Sequence, residues 1–226
     1  MLYDEKFSRN LPTLSPSEQK KVRSAVFSII GLGGTGGFAL ESLARLGAEH
    51  FILFDHDRFE LTNFNRQLLA SDRTIDRKKI DAAVARAKAI NKNIRIKKYG
   101  EFDPSKIQRA SIIIDATDNL ETKSLVARAC REKNIPYVFC SAEGSRGMVS
   151  VFTDYSFEKA FQLGDKKLTY RISRCASIIC PAAALAGSLA ASQALNVVIN
   201  KPYIKAPGAL FFDLFDERVF WKARLG

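Results

Sequence analysis

The chain is poor in the residues that build metal centres and disulfide frameworks, with 4 cysteines and 2 histidines in 226 residues. The cysteines (Cys130, Cys140, Cys175 and Cys180) form no C-x-x-C pair, which argues against a zinc ribbon. They are also too few to staple a scaffold, and a domain of this length, burying roughly 70–75% of its unfolded surface, needs no staple. Met1 to Asn10 contains no apolar signal-peptide core, so a reducing, cytoplasmic compartment is expected. Internal repeats and low-complexity tracts are missing too, and a hydrophobic fraction of 46% excludes a disordered chain.

Formal charge is absent from Cys175 to Asn200. That stretch is long enough to cross a bilayer. Its Pro181, Ser188, Ser192, Gln193 and Asn196, and its reliance on alanine, argue against insertion. A small-residue helix packed in a soluble core is expected instead, with no membrane role.

Elsewhere charge is abundant and of one sign, with a net charge of +11. Lys20-Lys21, Arg77-Lys78-Lys79 and Arg95 with Lys97-Lys98 contribute. A basic surface favours anionic partners: nucleotides, an acidic carrier protein, or RNA. The charges are scattered, however, so a merely solvated surface is the competing reading.

Short apolar runs alternate with helical patterns. Ala25 to Ile30, Phe51 to Phe54, Ile94 to Tyr99, Ser111 to Asp115 and Pro136 to Cys140 read as strands. Helices are expected around Ala39 to Ala44, over Lys79 to Ile90 and around Leu125 to Cys130. This order predicts an α/β fold, a Rossmann-like parallel sheet with helices on both faces. Two aromatic runs, Ala209 to Phe215 and Arg218 to Trp221, read as a hairpin that extends the sheet with antiparallel strands. Residues 1–226 are expected to form one domain: an arm over 1–23, a nucleotide-binding part over 24–150, and over 151–226 a crossover loop, the small-residue helix and the hairpin.

Gly31-Leu32-Gly33-Gly34-Thr35-Gly36 lies between the first strand and the first helix after it. A turn of Gly31, Gly33, Gly34 and Gly36 lets backbone approach a phosphate at a helix N-terminus. Asp55 ends the next strand, where an acidic group binds ribose hydroxyls. These features fit an ATP-binding enzyme and an NAD-dependent oxidoreductase equally.

Further motifs separate the two. Asp55-His56-Asp57 is followed by Asn63-Phe64-Asn65-Arg66-Gln67, then Lys79, then Asp115-Ala116-Thr117-Asp118-Asn119. With Phe7-Ser8-Arg9-Asn10 and the segment Pro181 to Leu195, this series resembles the ThiF/MoeB/HesA family, relatives of the ubiquitin-activating enzyme, over most of the chain. The resemblance implies an ATP-dependent adenylyltransferase that activates a C-terminal carboxylate and releases pyrophosphate. It implies Asp55 on the ribose, with Asp57 in the same motif, and Arg66 and Lys79 on the phosphates. Asn63 and Gln67 would position the nucleotide, Asp118 would ligate Mg2+ beside Asn119, and Arg9 would reach across a homodimer. The implied partner is a ubiquitin-like sulfur-carrier protein ending in Gly-Gly, or a peptide. Adenylation gathers negative charge on one small volume, which is the chemistry such a set of cations and one metal-holding acid suits.

The likeness has gaps. The zinc-binding C-x-x-C pairs of many members are missing, so no zinc is expected. Cys175 stands near the place of a cysteine that some members use covalently. Arg174 and Arg171 would favour its thiolate, and simple packing is the alternative. Cys130, Cys140 and Cys180 read as buried, and His50 and His56 as structural. For Asp118-Asn119 the competing reading is a cap for the following helix. A second branch, tRNA threonylcarbamoyladenosine dehydratases, would make tRNA the partner, as the net charge and missing zinc ligands favour.

Overall fold

The computed structural model describes residues 2–163 and 177–226. The arm is a docked helical segment. Helix α1 (Leu2–Lys6) and a 3-10 turn at Ser8–Asn10 lead to α2 (Pro16–Ser24). Ser15 and Glu18 close a capping box ahead of Pro16 at the start of α2, satisfying amides that the first turn leaves open. Tyr3 and Phe7 are buried, and the Tyr3 hydroxyl donates to Gly47 O at 2.8 Å.

Eight strands form one sheet: β1 (Val26–Ile30), β2 (His50–Phe54), β3 (Arg95–Tyr99), β4 (Ile112–Asp115), β5 (Tyr137–Glu143), β6 (Arg146–Phe152), β7 (Gly208–Asp213) and β8 (Phe220–Arg224). Their spatial order is β3-β2-β1-β4-β5-β6-β7-β8. Neighbours from β3 to β5 are parallel and those from β5 to β8 antiparallel. The expected parallel sheet and its antiparallel extension are therefore present. The extension starts earlier than the sequence reading has it, because β6 was not foreseen. It turns back on β5 at Gly144, where φ is +59°, a conformation that glycine adopts without strain.

Alternate side chains of the strands face opposite layers. Phe27, Ile29, Phe51, Leu53, Ile112 and Ile114 pack with α3 (Gly34–Arg45), α4 (Lys79–Ile90) and the alanine face of α7 (Cys180–Val198). Ile30, Ile52, Phe54, Ile113, Tyr137 and Phe139 pack with α5 (Leu120–Glu132) and α6 (Phe157–Ala160). Helices cover both faces, as expected.

Helix α7 has the length and composition of a membrane span, yet it lies against α3, β5 and β6, with Ala182, Ala183, Ala186, Ala190 and Ala194 fully buried. At Gly187 a Cβ would collide with Thr35 O and lie 2.8 Å from Phe38 Cβ. A glycine there lets α3 pack close and sets the position of its first turn.

Candidate active site

Strand β1 is flanked by β2 on one side and β4 on the other. The chain order reverses across it, and in such sheets ligands bind outside the carboxyl ends of the strands at that point. Gly31 follows β1 and Ala116 follows β4. A Cβ on Gly31 (φ +85°) would lie 2.8 Å from Ala116 O and 3.2 Å from Thr117 N. One on Gly36 would overlap Gly31 O and stand 3.2 Å from Ala116 Cβ. The glycine turn and the D-x-T-D-N segment are thus in van der Waals contact, and bare backbone makes that approach sterically possible.

Gly33 caps α3 without any side-chain hydrogen bond to its first amides. Those amides and the helix dipole form a ready anion site. The N-x-x-R-Q segment lies over the same turn. Gln67 Nε2 is 3.6 Å from a Cβ built on Gly33, and Arg66 O and Cγ are 3.3 and 3.6 Å from one on Gly34. Gln67 is buried, and its Oε1 has no hydrogen-bond partner among the described residues. A buried acceptor left open costs free energy, so its placement beside the turn fits a site completed by a ligand donor.

The Asp55 carboxylate accepts from Leu32 N at 2.6 Å and from Asp57 N at 2.8 Å. Burial pushes its pKa up, and the two amides oppose that shift. Asp57 in turn meets Lys79, whose Nζ donates to Asp57 Oδ2 at 2.8 Å while its amide donates to Asp57 O at 2.9 Å. Lys79 is 7% exposed at the first position of α4, so it is not part of a solvated run with Arg77 and Lys78. The Arg66 guanidinium donates through Nη1 to Thr62 O and to Asn65 Oδ1, at 2.8 and 2.9 Å. Asn65 also donates to Ile178 O at 2.9 Å, tying this segment to the entry of α7. Asn65 has no role expected from sequence, and its N-R adjacency to Arg66 is the signal that points to it. Asn63 is buried and turns inward, accepting from Glu60 N at 3.2 Å.

Several expectations need correction. Asp115 ends β4, and Asp118 is exposed in the loop three residues later. Asn119 caps α5, accepting from Thr122 N at 2.7 Å. Cys180 is exposed, because the buried face of α7 begins at Ala182, whereas Cys130 and Cys140 are buried. Burial pushes the Cys140 thiol up to about 12. His56 is exposed, with its ring Nε2 3.3 Å from Asp57 Oδ1. Cys175 lies outside the described residues. Arg9 is exposed in the turn after α1, next to Asn10, which donates to Leu46 O at the C-terminus of α3. The glycine turn is at the opposite end of that helix, roughly 18 Å away for twelve residues, so one chain does not bring Arg9 to the rest.

The fold thus carries a nucleotide-type turn flanked by N-x-x-R-Q, D-x-D with lysine and D-x-T-D-N. The family model described as "ThiF family" matches residues 7–225. The chain is 30% identical to sulfur carrier protein ThiS adenylyltransferase of Escherichia coli over 187 residues, 80% of this chain and 74% of that one. It is 29% identical over 186 residues to molybdopterin-synthase adenylyltransferase of Haemophilus influenzae, covering 79% of this chain and 76% of that relative. Among solved structures, E. coli MccB with ATP superposes with a TM-score of 0.75 at 20% identity, over 92% of this chain and 66% of that one. This chain belongs to the ThiF family. The expected enzyme class, adenylyltransferase, is the one those two relatives carry in their names.

Proposed function

We propose that this protein adenylates the C-terminal carboxylate of a small ubiquitin-like sulfur-carrier protein ending in Gly-Gly, or of a peptide. The observation that carries the reading is the gathering of three separate motif segments around residues 31–36. On this reading the α3 amides receive phosphate, Asp55 and Asp57 frame the ribose side, and Arg66 and Lys79 meet the charge of the triphosphate. Lys79 is held ready by Asp57 until the phosphates replace that partner. Gln67 Oε1 accepts from the nucleotide. A carboxylate oxygen of the partner bonds to the α-phosphorus as the bond to the pyrophosphate oxygen breaks, leaving an acyl adenylate.

Among the described residues no three His, Cys, Asp or Glu side chains converge as a metal cage. Magnesium suits such a site, because it is held by one or two carboxylates together with phosphate oxygens and water. Asp118 is the residue that would hold it, and the ion would supply charge neutralisation at the phosphates. Arg9 reaches a site only by crossing to a second copy, which the proposed homodimer provides. Residues 1–226 act as one adenylation domain in the cytoplasm.

Support comes from the ThiS and molybdopterin-synthase relatives and from the fold shared with an ATP-bound enzyme. Thermal shift with ATP–magnesium and with NADH tests the nucleotide: stabilisation by ATP is expected, and preference for NADH overturns the reading. A second reading, action on tRNA, is favoured by the net charge of +11. Tight tRNA binding that weakens steeply with salt, without any response to a carrier, would select it.

A further inference from the structure

Lys123 breaks two local rules. It is 6% exposed, and burying an ammonium is costly unless the charge is paired and hydrogen-bonded. It also lies at the start of α5, where the helix dipole disfavours a cation. An apolar side chain would meet neither cost. Its three protons nevertheless find three acceptors: Cys140 O at 3.1 Å, and Asp115 O and Oδ1 both at 3.4 Å. The Phe139 ring centroid lies 4.9 Å from Nζ.

Asp115, with no exposed surface, is the hub of this cluster. Its Oδ1 accepts from Thr117 N at 2.9 Å and Thr117 Oγ1 at 2.6 Å, and its Oδ2 from the Tyr137 hydroxyl at 2.8 Å. Burial first, and then the Asp115 charge, pushes the Tyr137 phenol well above its ordinary range, keeping it a donor. Residues 116–119 are therefore pinned from both ends. Ala116 N donates to Ile30 O at 2.8 Å, Thr117 is bound to Asp115, and Asn119 caps the helix from which Lys123 reaches back. Asp118 stands between these pins.

We infer that Lys123 is a positioning residue: acting through Asp115, it fixes the loop that presents Asp118, and it cancels the Asp115 charge so that Asp118 alone carries the negative charge of this segment. The inference rests on the reading of Asp118 as the metal-holding residue. A core that needed only stability would be served as well by apolar residues of similar volume. In some proteins buried ionic clusters are retained because they fix geometry, and groups that orient a metal ligand carry about 10–100-fold of metal affinity.

The test compares Lys123→Met, Lys123→Arg, Tyr137→Phe and, as a stability control, Val126→Ala, which opens a cavity one turn further along α5 without removing a hydrogen bond to Asp115. Two quantities are measured on the full chain. One is amide hydrogen exchange at residues 116–119 without ligand. The other is Mn2+ affinity, by electron paramagnetic resonance, with a non-hydrolysable ATP analogue present. Lys123→Met is expected to speed exchange at Thr117 and to weaken Mn2+ by about tenfold or more. Lys123→Arg should restore most of both, and Tyr137→Phe, which folds with its ring in place, should shift both in the same direction by less. Val126→Ala should lower Tm and change neither. Unchanged exchange and Mn2+ affinity in Lys123→Met and Tyr137→Phe would overturn the inference, as would a control that reproduces their effects. A wild type that binds no Mn2+–nucleotide would instead remove the reading of Asp118 on which it rests, and the exchange data would show whether the loop is pinned all the same.

Discussion

The Leu32 amide donates to the Asp55 carboxylate at 2.6 Å, joining the glycine turn to the end of β2 across 23 positions of sequence. One acidic side chain thus shapes the turn at which the proposed nucleotide site lies. Asp55→Ala leaves the Leu32 and Asp57 amides without their acceptor. A stability loss of about 2 kcal/mol is expected from hydrogen bonds to a charged group, together with nucleotide affinity weaker by at least about tenfold. Denaturant unfolding and calorimetric titration with ATP check the two effects. Undiminished affinity would remove Asp55 from the site.

The glycines divide into packing and ligand positions. Gly36→Ala drives a Cβ into Gly31 O and crowds Ala116, so a large loss of stability is expected. Gly33→Ala meets nothing nearer than Gln67 Nε2 at 3.6 Å, and an N-cap change of this type costs about a few tenths to 1 kcal/mol. Its Tm should stay close to wild type while ATP affinity falls. If Gly33→Ala binds ATP normally, phosphate is not held at this helix end.

Lys79→Met separates function from stability. The Asp57 partner is half-exposed, and such pairs contribute about 0–1 kcal/mol. Adenylation should nevertheless drop by about 10²–10³-fold, as when one preorganised donor to a transferring group is lost. Steady-state rates beside a melting curve give both numbers. A fall in Tm matching the fall in rate would mean that Lys79 is structural.

Asp213 gives a pH signature remote from the turn. Its carboxylate accepts from Ser145 Oγ at 2.7 Å, Arg146 Nε at 2.6 Å and Phe215 N at 3.1 Å. Those bonds, led by Ser145, lower its pKa from 3.8 to about 2. A lowered folded-state value stabilises the fold above the unfolded pKa, and that contribution is lost as pH falls through the folded one. The Tm gap between wild type and Asp213→Asn should therefore be constant above pH 5 and close between pH 4 and pH 2. A gap that persists below pH 2 contradicts this source.

Most of the sheet was legible because the central parallel strands β1, β2 and β4 and the start of β5 are buried and read as short, largely apolar runs. Helix α4 runs Lys79–Ile90, as its pattern indicates. Strand β6 was missed because Arg146-Gly147-Met148 opens on polar and flexible residues, and only pairing with β5 and β7 makes it a strand. The motif residues were legible individually, whereas their surroundings were not. Nothing local in D-x-T-D-N tells that Asp115 is buried and Asp118 exposed, since that depends on Tyr137 and Lys123 arriving from β5 and α5. Cys180 misled because its apolar neighbours Ile179 and Pro181 suggest burial, whereas its place at the helix start turns it outward.

Adenylation of a terminal carboxylate at the turn formed by residues 31–36 is read out by carrier-dependent exchange of labelled pyrophosphate into ATP. Exchange by the wild type is expected only when a Gly-Gly carrier or peptide is present, with at least about a 10²-fold loss in Asp118→Ala. Absence of exchange with every such partner, or exchange that ignores the loss of Asp118, would contradict it.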